Sequence, residues 1–250
     1  MSEPVEEQVL REVEWFPSTN ITRILRHAGR SVPDAVGGGC LWMAARLCRL
    51  LRQRRPGIRL SHHDLGEPGS HTTTISDDGC ERLLYEPSLF QVRPFSLTRF
   101  DADPGCCTSA TFPRLDTHPM QLRFSRPEPG CLRMELLSPR GTLKRAYNYV
   151  FRAPVELNED DPYGGLPFIE PQDHLYVYTL NPDFTKSVLM LNVRTRRFNV
   201  GRVRDKLYVD SEPGFDSRFE KVAARMHLTP QGLRDLMGAA LEIHNAHHKI

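Results

Sequence analysis

The sequence has no Cys-x-x-Cys pair among its six cysteines, Cys40, Cys48, Cys80, Cys106, Cys107 and Cys131. At 250 residues it is not a small secreted scaffold either, so neither a structural zinc site nor a disulfide framework is indicated. Most of these residues are expected to be reduced thiols in or near a core. Charge of one sign is also lacking: 33 Lys and Arg against 31 Asp and Glu leave +2, too little for bulk nucleic-acid binding. The acidic start Met1-Ser2-Glu3-Pro4 carries no continuous apolar stretch, which argues against a secretory leader or a membrane span and for a cytoplasmic protein. Gly37-Gly38-Gly39 lacks the Lys-Ser/Thr sequel of a P-loop and the spacing of a dinucleotide fingerprint. No repeat of solenoid length is visible.

What is present is ordinary globular composition, 39% hydrophobic and 26% charged, with length enough to bury a sizeable core. An amphipathic opening from Val5 to Phe16 predicts a helix stopped by Pro17. A second short helix carries Ile21, Ile24 and Leu25, with Ser18 or Asn20 as its cap and Gly29 at its end. Leu41, Ala44, Ala45, Leu47, Cys48 and Leu51 recur at helical spacing in a third helix, which Pro56-Gly57 terminates. Its opposite face holds Arg46, Arg49 and Arg52, which reads as a solvated face in preference to an anion site. From Ile58 to Phe151 short β-type runs separated by Pro and Gly (82–85, 122–124, 132–137, 147–151) predict a small antiparallel barrel or sandwich. Acidic, Pro- and Gly-containing 158–171 reads as a linker. Strands at 188–193 and 206–209 and a helix over 230–244 make the last part α/β. The expected organisation is 1–57 helical with the nucleophile, 58–157 β-barrel, and 158–250 linker and α/β lid.

Three residues carry chemistry. Cys40 follows three glycines and opens an apolar helix, where backbone N–H groups are unpaired and the helix dipole favours thiolate, the nucleophilic form. His71 and Glu86 flank a segment containing Asp78-Gly79, a two-residue hairpin signal. With those two as the turn, His71 stands directly opposite Glu86, with Cβ atoms about 5 Å apart on one face. Glu86 can then accept the Nδ1 proton and leave Nε2 to serve Cys40. A longer turn is expected to move His71 away from Glu86 or to the other face. Cys48, inside the third helix on its apolar side, reads as structural. His62-His63-Asp64 could bind a metal or supply a base, but neighbouring strand residues face opposite ways and no ligand cluster follows. His244, His247 and His248 share helical spacing near the chain end, where a frayed terminus is expected.

The order Cys, His, carboxylate resembles the arylamine N-acetyltransferase family, whose nucleophile follows an Arg-Gly-Gly-x motif and whose His and Asp lie on neighbouring strands. Val36-Gly37-Gly38-Gly39-Cys40 resembles that motif without its arginine, and the His71-to-Glu86 hairpin is similar in length and position. Asn181-Pro182-Asp183-Phe184-Thr185-Lys186 resembles the segment before a lid-domain strand, and Arg225-Met226-His227-Leu228 the start of the closing helical region. The resemblance implies an α+β fold: a short N-terminal helical segment, a central antiparallel β-barrel and a C-terminal α/β lid, in a cysteine-proteinase-like arrangement. It also implies acyl transfer from a phosphopantetheine thioester through acyl-Cys40 to an amine. No cofactor is bound permanently; the donor is acyl-CoA or an acyl carrier protein, and the acceptor is a small amine.

Departures from the family bear on substrate. Val36 replaces the motif arginine, Trp42 and Ala44 replace polar residues, Glu86 replaces aspartate, and Pro87-Ser88-Leu89-Phe90 replaces a glycine-rich turn. They point to a specialised branch such as natural-product acyltransferases or amide synthases. By position, Leu89, Phe90 and Phe184 are candidate substrate-binding residues, with ordinary core packing the competing role. Two other functions stay open: a cysteine hydrolase or transglutaminase-like enzyme with the same Cys-His-carboxylate logic, and a catalytically degenerate binding protein.

Overall fold

In the computed structural model the described residues are 4–64, 71–87, 93–102, 109–111, 121–125, 131–137, 142–150, 158–181, 186–202 and 206–249. The chain divides into two compact units, one of residues 1–14 and 40–162, the other of 15–39 and 163–250. Both are mixed α and β with antiparallel sheets. No helix among the described residues is long and apolar enough to cross a membrane.

In the first unit, α1 (Val5–Glu14) packs on α3 (Cys40–Arg54). The apolar stripe of α1, Val9, Leu10 and Val13, is fully buried, and α1 ends at Glu14, ahead of the expected stop at Pro17. Helix α3 buries Leu41, Met43, Ala44, Leu47, Cys48 and Leu51, the period expected for one face on a core. Its arginines are neither an anion site nor simply solvated. Arg49 pairs with Asp160, Arg52 with Glu159, Arg54 with Glu12, and Arg55, just past the helix, with both Glu6 and Asp78, so acidic partners offset much of the charge on this partly exposed face.

Below α3 lies a four-stranded antiparallel sheet of β2 (Arg59–Asp64), β3 (Thr72–Asp77), β4 (Arg82–Tyr85) and β5 (Phe95–Ser96), in that order. After the short helix α4 (Leu97–Ala102), a second sheet follows in chain order: β6 (Ser109–Thr111), β7 (Gln121–Ser125), β8 (Cys131–Leu137) and β9 (Leu143–Val150). The expected closed barrel is not formed among the described residues. The two sheets are separate ladders that share a core of Ile75, Leu84, Phe95, Phe100, Phe124, Leu132 and Met134. Phe95 stacks on Phe124 with centroids 4.1 Å apart, so aromatic packing joins the sheets where hydrogen bonds do not.

In the second unit, β1 (Ser18–Thr19), β10 (His174–Leu180), β11 (Lys186–Asn192), β12 (Phe198–Arg202) and β13 (Leu207–Val209) form one antiparallel sheet in that order. Helices α2 (Ile21–His27), α5 (Phe215–Arg225) and α6 (Pro230–His248) bury Ile21, Ile24, Phe219, Leu233 and Met237 against Leu175, Val177, Leu189 and Leu191. Asn20 holds the N-cap position of α2 as expected, but its side chain makes no capping bond. Thr19 Oγ1 accepts from the Ile21 N–H at 3.1 Å, while the Asn20 amide is engaged by β10, accepting from Tyr176 N at 2.9 Å. The tetrapeptide at 225–228 spans the end of α5 and the turn before α6. Helix α6 does not fray before His248: His244 is fully buried and its Nε2 accepts the Gln172 N–H at 3.0 Å. Burial holds that ring below the usual histidine range, consistent with an acceptor nitrogen.

Candidate active site

Gly37 brings the chain to the helix start by a route open only to glycine. Its φ is +74°, and an added Cβ would stand 1.9 Å from the Pro17 carbonyl oxygen. Gly38 N–H donates to that same Pro17 oxygen at 3.1 Å, and the Thr22 hydroxyl donates to the Gly37 carbonyl at 2.6 Å. Gly39 N–H donates to the Tyr163 hydroxyl at 3.0 Å. Cys40 then opens α3 as expected, partly exposed at its N-terminal end.

His71 comes immediately before β3 and Glu86 immediately after β4. The hairpin between them is not the expected two-residue turn. Pairing closes at Asp77 with Arg82, leaving Asp78 to Glu81 as a four-residue connection. The reason is local: Asp78 Oδ1 accepts the N–H groups of both Cys80 (3.0 Å) and Glu81 (2.9 Å), and Gly79 takes φ +91°. Adding two residues to the turn shifts the register by two, which preserves face parity. His71 and Glu86 thereby become diagonal neighbours on the same face, still within reach of each other.

The ring orientation is the reverse of that expected. His71 Nε2 lies 2.8 Å from Glu86 Oε2, so Nδ1 is the nitrogen left for Cys40, with which the ring also hydrogen-bonds. Glutamate is one methylene longer than aspartate, and across a diagonal that length reaches the far ring nitrogen. Glu86 is fully buried and the His71 side chain is 20% exposed. Burial opposes a charged ring here, but the Glu86 carboxylate, the hydrogen bonds to Cys40 and Glu86, and the Cys40 charge outweigh it and push His71 up to about 11. At neutral pH the ring is therefore an imidazolium, set between the Glu86 carboxylate and the Cys40 sulfur.

A second grouping escaped the sequence reading. Cys48 Sγ lies 3.6 Å from His62 Nε2, and Cys48, His62 and Glu159 place one donor atom each within 4.8 Å of one another. The composition, Cys-His-Glu, is that of a triad. Yet Cys48 is fully buried, and that burial, with the Glu159 charge, pushes its thiol up to about 12. It is a protonated, enclosed sulfur where Cys40 is a reachable one. His63 points the other way, to Ser61 Oγ at 3.2 Å, as alternation along a strand requires. The spacing that unites Cys48 with His62 is set by how α3 lies on β2 and β3, which no local motif encodes. Of the remaining expected residues, Leu89, Phe90 and Phe184 lie outside the described residues.

No protein-family model matches this chain, and a search of curated proteins finds no match.

Proposed function

We propose that this protein is an N-acyltransferase that carries an acyl group on Cys40 between a thioester donor and an amine. The observation that supports this most is the hydrogen-bonded order Cys40, His71, Glu86, with the ring held cationic. In the first step the Cys40 thiolate attacks the donor carbonyl, the donor C–S bond breaks, and His71 gives its proton to the departing thiolate. In the second, an amine attacks acyl-Cys40, neutral His71 takes the amine proton, and the Cys40 thiolate leaves. Proton and acyl group balance over the two steps, so no bound cofactor is required; the donor is acyl-CoA or a carrier-protein thioester. The likeness to arylamine N-acetyltransferases supports the same chemistry, and with it a cysteine-proteinase-like arrangement of a helix-start cysteine beside a His- and carboxylate-bearing sheet. Val36, Trp42, Ala44 and Glu86 favour an acceptor from specialised metabolism over a simple arylamine.

The test is product analysis. The protein is incubated with acyl-CoA and with acyl carrier protein, each with a panel of amines and hydrazines, and the products are resolved by mass spectrometry. Cys40-dependent amide supports acyl transfer. Free acid formed at the same rate with and without amine replaces it with hydrolysis. No turnover of any donor, with Cys40 no more reactive than Cys131, identifies a degenerate binding protein.

A further inference from the structure

We infer that Cys48, His62 and Glu159 form a divalent-metal site of the zinc class, separate from the proposed catalytic group. The Cys48 Sγ to His62 Nε2 separation, 3.6 Å, suits a sulfur hydrogen bond in the metal-free protein and is equally close to the edge of a tetrahedral site. Metal–sulfur and metal–nitrogen bonds of about 2.3 and 2.0 Å at a tetrahedral angle set their donors about 3.5 Å apart. The imidazole is already oriented for this role. His62 Nδ1 is 3.3 Å from Thr74 Oγ1, an outer partner that, by accepting the Nδ1 proton, would turn the Nε2 lone pair to a metal beside the sulfur.

The third donor, Glu159, lies in a segment held by the Arg49 guanidinium on its carbonyl (2.8 Å) and by Asn158 Oδ1 accepting from Asp160 N (3.1 Å). One Glu159 oxygen pairs with Arg52, whose side chain is 54% exposed, and a carboxylate can give its other oxygen to a cation. Cys48 and His62 are buried while Glu159 is 16% exposed, so the carboxylate is the side from which an ion enters. A sulfur, an imidazole and one carboxylate select zinc-class ions over magnesium or calcium, which take all-oxygen shells. On binding, the Cys48 S–H bond breaks, a metal–sulfur bond forms and the proton goes to solvent. Thiolate and carboxylate then balance the dication. Three protein ligands leave one coordination position for water.

Cobalt(II) is the probe, titrated into the full-length Cys40→Ala protein so that the proposed nucleophile cannot contribute. The expected result is a thiolate-to-cobalt charge-transfer band with intense four-coordinate visible bands, saturating at a single equivalent and displaced by zinc. Cys48→Ser abolishes the charge-transfer band, and Thr74→Val, which removes the hydroxyl that bonds His62 Nδ1 and also contacts Cys48 Sγ, weakens cobalt binding by roughly 10- to 100-fold. Should Cys48→Ser fail to fold, Glu159→Gln at the partly exposed edge serves instead and is expected to weaken binding at least as much. No charge-transfer band from protein whose circular dichroism is native overturns the site. So does a band that survives Cys48→Ser, or a cobalt affinity unmoved by Thr74→Val and Glu159→Gln.

Discussion

Replacing Glu86 by Gln removes a charge from beside His71 while keeping an oxygen of the same reach at the same place. The carboxylate oxygen sits 2.8 Å from Nε2, which places the charge about 4 Å from the centre of the ring. At an effective dielectric constant of about 20 that separation is worth about 4 kcal/mol, or about three pH units in a titration midpoint. The His71 midpoint, near 11 in the intact protein, should fall to about 8 in Glu86→Gln. Because the ring is raised above its unfolded value of 6.5, its contribution to stability is complete below that pH and is lost as pH rises through about 11. In the variant the loss should be smaller and should run through about pH 8 instead. Imidazole NMR on isotope-labelled protein reads the midpoint directly, and denaturant unfolding across the same pH range reads the linked stability. A His71 midpoint that stays within half a unit of the wild-type value would refute the reasoning, because the carboxylate would then not be what holds the ring charged.

Gly37→Ala should be strongly destabilising, since φ +74° is a glycine conformation and the new Cβ meets a backbone oxygen. Strain alone is about 1–3 kcal/mol, and the overlap adds to it; urea unfolding that differs from wild type by less than the strain figure would contradict this. Phe124→Ala removes a fully buried ring that joins the two sheets of the first unit and should cost about 3–5 kcal/mol by the same measurement. In thiol profiling near neutral pH, iodoacetamide should label Cys40 well before Cys48, one being partly exposed and hydrogen-bonded to a cationic ring and the other enclosed. Equal labelling rates would remove the distinction between the two Cys-His groups.

The hairpin illustrates what a sequence can and cannot specify. Side-chain parity along β3 and β4 is fixed by a period of two, so His71 and Glu86 share a face whether the connection holds two residues or four. Which of them stand directly opposed depends on the turn, and Asp78, by capping two backbone N–H groups, lengthens it. That diagonal offset and the length of glutamate then decide which ring nitrogen meets the carboxylate, a detail beyond any pattern. Helices α3 and α6 were legible because their apolar periodicity is strong. Strand β10 was legible in principle, since Leu175, Val177 and Thr179 alternate inward, but its intervening tyrosines hide the contrast. Helix α5 opens at Gly214 in a left-handed conformation, with no side-chain cap to announce it. The β region read as a barrel or a sandwich, and the choice between them was not legible, because what joins its two ladders is contact between Phe95 and Phe124, residues far apart in sequence.

The most direct measurement is intact-protein mass spectrometry after brief exposure to an acyl thioester, followed by peptide mapping. The expected result is a mass increase of one acyl group, located on Cys40, absent from Cys40→Ala and discharged when an amine is added. Failure of every acyl-CoA and acyl-carrier donor to label Cys40, or labelling that persists unchanged in Cys40→Ala, would contradict it.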